Sequence, residues 1–202
     1  DPVGRRRAGS RRAQVAEQGA LVVLAGAVNA GKSSLLNALL GRERALVTDI
    51  PGTTRDFLEE TCLLGGLPVR LTDTAGLRQA AEMVEQLGVT RSREKLLQAD
   101  LVVLVLDGGK LGEAGAAAET CPDPAAREVL DSAGDTPLLV VWNKCDICMP
   151  KVFPPRWIGP RTCCAVSALS DTYVEELAGT LRAVLLGGSA GSAPEEGLAP
   201  NA

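Results

Sequence analysis

The stretch Gly26-Ala-Val-Asn-Ala-Gly-Lys-Ser33 constrains this chain more than any other. It has the spacing G-x-x-x-x-G-K-S, follows the apolar run Leu21 to Ala25 and precedes Ser34-Leu-Leu-Asn-Ala-Leu-Leu40, so a strand leads in and a helix leads out. Gly26 and Gly31 allow the backbone to turn tightly and aim successive N–H groups inward, and the start of the helix adds its partial positive charge. Lys32 reaches the outer phosphates of a nucleotide, and the Ser33 hydroxyl suits a Mg²⁺ bridging two of them. The motif predicts a nucleotide phosphate site.

The rest of the chain reads as the α/β framework such a loop needs. Leu21 to Ala25, Leu101 to Leu106 and Leu138 to Trp142 are short all-apolar runs, as expected for the buried centre of a parallel sheet. Phe57 to Leu64 and Pro68 to Thr72 are joined at Gly65-Gly66, which predicts a hairpin and one antiparallel edge. Thr162 to Val166 is a last short strand. Helices are expected from the phosphate loop to about Leu40 (stopped by Gly41), over Glu82 to Ala99, over Pro124 to Ser132 and over Thr172 to Leu186. The Gly- and Ala-rich start of the segment from Gly108 to Asp135 reads as mobile. The Pro-rich loop Met149 to Pro160, with Phe153 and Trp157, reads as a lid packed on the body. The fold class expected is an α/β P-loop NTPase, a Ras-like doubly wound sheet of six mostly parallel strands with one antiparallel edge strand.

Residues 1–19 form a basic lead-in with Arg5, Arg6, Arg7, Arg11 and Arg12, either a nucleic-acid arm or, the reading preferred, a solvated helix end from a neighbouring domain. Residues 20–187 form the nucleotide-binding domain, and 188–202 are a Gly/Ser/Ala/Pro-rich linker. The first residue is Asp1, and the chain reads as a piece of a longer protein. A net charge of −4 argues against a nucleic-acid surface spread over the whole domain. No apolar run approaches the length of a membrane span, and an intracellular, cytoplasmic location is expected. The six cysteines then read as free thiols. Cys145-x-x-Cys148 with Cys163-Cys164 can be drawn as a zinc site, but neighbouring strand cysteines face opposite ways and the first pair lies inside a better motif. His is absent, so acid–base chemistry falls to carboxylates, Lys, Cys or water.

That better motif is Asn143-Lys144-x-Asp146, at the carboxyl end of a strand. The Asp146 carboxylate can accept from guanine N1–H and the 2-amino group, which adenine does not offer together, while Lys144 lays its stem along the ring. Ser167-Ala168-Leu169 can present backbone N–H to the guanine oxygen. Asp73-Thr-Ala-Gly76 ends another strand, so Asp73 can hold the Mg²⁺ shell through water and the Gly76 N–H can meet the γ-phosphate. Thr54 can add a second hydroxyl to Mg²⁺, which makes the order of its loop depend on that phosphate. In this order and spacing the motifs point to GTP rather than ATP.

The same segments carry a resemblance. The run from Gly26 to Glu60, then DTAGLRQAAEMVEQLGVTRS, NKCDI and VSALS, resembles the G domain of the MnmE (TrmE) family of tRNA-modification GTPases, over roughly Leu21 to Leu186. The ribosome-assembly GTPases Der and Era share part of the pattern but fit the stretch after DTAG less well. The resemblance implies a GTP or GDP site lined by Asn29, Ala30, Gly31, Lys32, Ser33 and Ser34, by Thr48, Asp49, Ile50, Pro51, Gly52, Thr53 and Thr54, by Asp73, Thr74, Ala75 and Gly76, by Asn143, Lys144 and Asp146, and by Ser167, Ala168 and Leu169.

It also implies a mechanism. In Ras-like enzymes a Gln directly after D-x-x-G orients the attacking water. Here Leu77 occupies that position and cannot, and the resemblance implies Glu85 as the catalytic residue, aligning water indirectly. Glu82 reads as a solvated helix residue. In the family a K⁺ ion at the dimer interface of two G domains replaces an arginine finger, and its ligands map onto Asn29, Thr48, Ile50 and Thr53. Asn29 read by itself fits equally an amide that braces the loop. The implied partners are a second G domain, an MnmG-type flavoprotein and tRNA, with hydrolysis driving rearrangements during modification of the wobble uridine. Ala27-Val28 departs from the family's more usual Arg-Pro, and the family's folate-binding and helical domains are missing from this sequence. Two other readings are a Der- or Era-type GTPase and a low-turnover GTP-binding switch module.

Overall fold

The computed structural model describes residues 19–43, 59–73 and 96–187. Within them six strands form one sheet, β1 (Ala20–Ala25), β2 (Glu59–Leu64), β3 (Leu67–Asp73), β4 (Leu101–Asp107), β5 (Leu138–Asn143) and β6 (Cys163–Ala165), in the order β2-β3-β1-β4-β5-β6. All neighbours are parallel except the β2–β3 hairpin, which turns at Gly65-Gly66 and makes β2 an antiparallel edge. The helices are α1 (Lys32–Glu43), α2 (Gly108–Ala117), α3 (Pro124–Ser132) and α4 (Val174–Leu185). The expected fold class holds.

The all-apolar strands are buried on both faces, as the two-residue period of a strand requires. On β1, Ala20, Val22 and Leu24 join the core under α1 and α4, while Leu21, Val23 and Ala25 face Leu96, Ala99 and Val102 on the other side. On β4, Val103 and Val105 share the first core, and Leu104 and Leu106 pack with Trp142, Ile158 and Ala126 below α2 and α3. Cys163 and Cys164 point to opposite faces, each into a different core.

Three expectations on element extent need correction. α1 does not stop at Gly41 but runs to Glu43. Glycine within a helix costs only about 1 kcal/mol relative to Ala, too little to end one that packs Leu35, Leu39 and Leu40. The segment after Asp107 is a helix, not an irregular start. The Asp107 side chain caps it, it kinks at Gly112, and Gly115 and Ala116 are buried. The last helix starts at Val174 rather than Thr172, behind Tyr173 in the left-handed region. The lid expectation is met within the described residues: Phe153 and Trp157 pack on the second core, and Trp157 Nε1 donates to the Gly115 carbonyl at 3.0 Å. The expected helix over Glu82 to Ala99 lies mostly outside the described residues; 96–98 are helical.

Candidate nucleotide site

The sheet gathers the motif residues at one rim. In register, Leu24 near the end of β1 pairs with Asp73 at the end of β3, and Asp107 at the end of β4 pairs with Asn143 at the end of β5. From β1 the chain crosses to the β2–β3 side, and from β3 it returns to the β4 side, so the rim above β1 is where the winding reverses. Open α/β sheets place their ligand crevice there.

The phosphate loop leaves β1 at Gly26. A Cβ on this residue would overlap the Val105 carbonyl oxygen, and its φ of 137° is open to glycine alone. Gly31, at φ 93°, lies so close to the Asn143 amide that a Cβ would overlap Nδ2. Asn29, between them, is left-handed at φ 64° and exposed. Lys32 is 5% exposed, and its ammonium donates to the carbonyl oxygens of Ala27 at 2.7 Å and Gly26 at 3.2 Å, which curls it over the hollow of the loop. Ser33 and Ser34 are exposed at the start of α1, whose first turn carries no carboxylate. Nothing on the helix itself neutralises the positive end of its dipole, the arrangement an anion requires.

Asn143 ties this loop to the opposite wall. It is 2% exposed, its Nδ2 donates to the Ala30 carbonyl at 2.9 Å, and its Oδ1 accepts from the Ala168 N–H at 3.1 Å. Lys144 is left-handed at φ 63° and sends its ammonium to the Asn29 carbonyl at 2.9 Å. The Ile147 and Cys148 N–H groups both donate to the Lys144 carbonyl, which closes a turn that exposes Asp146. A left-handed non-glycine residue costs of order 1 kcal/mol, and Asn29 and Lys144 spend it on facing sides of one crevice.

The third wall is the loop after β6. Ser167 pairs with Thr172 through two backbone hydrogen bonds, and the Ser167 Oγ accepts from the Ser170 N–H at 3.2 Å. Of the three N–H groups expected to face a base oxygen, Ser167's donates to Thr172 and Ala168's to Asn143. Leu169, 88% exposed, carries the one that no hydrogen bond among the described residues engages.

Residues 21–144, more than half of the chain, match the family described as 50S ribosome-binding GTPase. The chain belongs to this GTPase family. It is 49% identical over 96% of its length to a "tRNA modification GTPase MnmE" of Nitratidesulfovibrio vulgaris and 46% identical over 90% to one of Chloroflexus aurantiacus. It spans 40% and 38% of those relatives, so it corresponds to part of them. Among solved structures, a GTP-binding protein of Sulfolobus solfataricus in complex with GDP shares the fold, with a TM-score of 0.55, 20% identity and coverage of 83% of this chain and 52% of that one. The domain is a GTP-hydrolysing enzyme of the P-loop class.

Of the site residues expected from the sequence of this GTPase domain, the structure brings together Asn29 to Ser34, Asn143, Lys144, Asp146 and Ser167 to Leu169, with Asp73 at the same rim. Thr48, Asp49, Ile50, Pro51, Gly52, Thr53 and Thr54, Thr74 to Gly76, Glu82 and Glu85 lie outside the described residues. One residue at the rim was missed. Asp107 holds Lys144 Nζ at 2.6 Å, and the only sequence signal was that of a helix cap, an Asp closing a strand before Gly-Gly-Lys.

All six cysteines are free thiols. Burial raises the pKa of Cys163, and the neighbouring Cys164 raises it further. Burial likewise lifts Cys164, Cys121 and Cys145. These thiols stay protonated near neutrality, the less reactive form. Among the described residues no cluster of three or more metal-ligating side chains forms, and no helix is long and apolar enough to cross a membrane.

Proposed function

We propose that this chain is the G domain of a cytoplasmic tRNA-modification GTPase, comprising residues 20–187 between a lead-in (1–19) and a linker (188–202). In the whole protein, hydrolysis by this domain drives wobble-uridine modification together with an MnmG-type flavoprotein and tRNA. The identity of 49% along nearly the entire chain to a protein of that name carries the reading. The competing assignment to ribosome assembly draws on the description of the family and on the part of the motif pattern shared with Der and Era, which fits the stretch after DTAG less well.

Main-chain amides of the loop from Asn29 to Ser34, with Lys32, hold the phosphates, and Asp146 accepts from the guanine N1–H and 2-amino groups. The Leu169 N–H faces the guanine oxygen, and Ser167 and Ala168 shape the loop that carries it. The exposed Ser33 hydroxyl, at a helix start without carboxylates, fits Mg²⁺, with Thr54 as a second hydroxyl and Asp73 acting through water. Mg²⁺ held there would offset negative charge on the phosphate oxygens. The exposed, left-handed Asn29 fits a K⁺ ligand set completed by Thr48, Ile50 and Thr53, in a dimer formed by two G domains. Glu85 aligns the attacking water, a task Leu77 cannot perform.

Phosphate release from GTP is expected to run about a hundred- to a thousandfold faster in KCl than in NaCl at equal ionic strength, the scale of one preorganised charge-stabilising group at a transition state. Asn29→Ala should remove most of that difference, and Glu85→Ala should lower turnover in both salts. Equal rates in the two salts would remove K⁺ from the mechanism. Undiminished hydrolysis by Glu85→Ala would remove Glu85.

A further inference from the structure

The carboxylate of Asp107 is used twice. Its Oδ1 accepts from the Lys110 N–H at 3.0 Å and caps α2. Its Oδ2 accepts from Lys144 Nζ at 2.6 Å, while the same ammonium donates to the Asn29 carbonyl of the phosphate loop at 2.9 Å. The two side chains are 15% and 31% exposed, so the pair is partly shielded, unlike a surface bridge that water and salt screen. The start of α2 meets the base-recognition turn a second time, where the Ile147 side chain lies over Gly109.

We infer that Asp107 is a positioning residue for guanine recognition. It fixes Lys144 between the start of α2 and the phosphate loop, so that the lysine stem is already laid out where the face of the base will rest. The inference rests on reading Asn143 to Asp146 as the base site. A lysine stem has many rotamers, and one that is not held must be ordered when the nucleotide binds, which weakens binding. The Asn29 carbonyl supplies a neutral acceptor and Asp107 a charged one, the stronger kind. Because the ammonium spans both, the lysine also joins the base wall to the phosphate wall, and loosening it on the Asp107 side loosens both.

The test is the dissociation rate of a fluorescent GDP, with the corresponding ADP as base control, from the wild-type chain, Asp107→Asn, Lys144→Ala and the double variant. Asparagine keeps an oxygen for the Lys110 N–H and removes the charge from Lys144. Asp107→Ser, whose short hydroxyl caps but cannot reach Lys144, serves the same purpose should the Asn variant fail to fold. Asp107→Asn is expected to release GDP about tenfold faster than wild type. It should add nothing in the Lys144→Ala background, and the nucleotide-free melting temperature should move by only a few degrees. Release at the wild-type rate overturns the inference. So does an equal acceleration with Lys144 already removed, which assigns the effect to the α2 cap. If the wild-type chain holds ADP as tightly as GDP, the base-site reading itself fails, a result distinguishable from either of these.

Discussion

Asp146→Asn is expected to weaken GTP and GDP binding by about a hundred- to a thousandfold and to create a preference for xanthosine nucleotides. The carboxylate accepts twice, and guanine offers two adjacent donors, N1–H and the 2-amino group. An asparagine amide offers one acceptor and one donor, so one guanine donor would meet another donor. Losing a charged, paired hydrogen bond at a desolvated contact costs several kcal/mol, and an unmatched donor adds to it. Xanthine keeps N1–H and replaces the amino group with a carbonyl, which restores the match. Asp146 sits exposed on a turn closed by backbone hydrogen bonds to the Lys144 carbonyl, so the change leaves the fold intact. Calorimetric titration of the variant with GDP and with xanthosine diphosphate checks this. Unchanged GDP affinity would move base recognition away from Asp146.

The second large effect is structural as well as functional. Asn143→Ala should destabilise the nucleotide-free domain by about 2–4 kcal/mol. In a domain of this size that is a fall of roughly 5–12 °C in melting temperature. Asn143 is 2% exposed and its amide satisfies two partners, the Ala30 carbonyl and the Ala168 N–H. Truncation strands the Ala30 carbonyl in a buried position and the Ala168 N–H in a partly buried one. Asn143→Asp should do no better, since it keeps the acceptor for Ala168 but turns a carboxylate toward the Ala30 carbonyl. The same variants should bind GDP far more weakly, because the loop and the base wall lose their common brace. Differential scanning calorimetry without nucleotide, beside GDP titration, separates the two consequences. A melting temperature within a degree or two of wild type would mean that Asn143 does not brace the loop.

Much of this was legible in the chain because it is encoded locally. Gly26 and Gly31 at a fixed spacing between an apolar run and a helix leave few backbone paths. The Gly65-Gly66 turn sets the hairpin, and the expected helix from Pro124 to Ser132 begins at its capping Asp123 and N-terminal proline. The misses have a common cause. Gly108-Gly-Lys-Leu-Gly has low helix propensity, yet α2 forms, because the Asp107 cap and burial against β4 and β5 outweigh it. Gly41 carries a stop signal, yet α1 continues through it on the strength of its packing.

The sequence by itself determined the phosphate loop, the base-selecting motif and the alternation of strands and helices, since each depends on residues within a turn or two of one another. Tertiary structure alone decided which of these groups share atoms. The Asn143 amide and Ala30 are 113 residues apart, Lys144 and Asn29 are 115 apart, and Lys144 and Asp107 are 37 apart. Only the strand order and register bring those pairs to one rim, and hydrogen bonds, effective over about 3 Å, form only after it does.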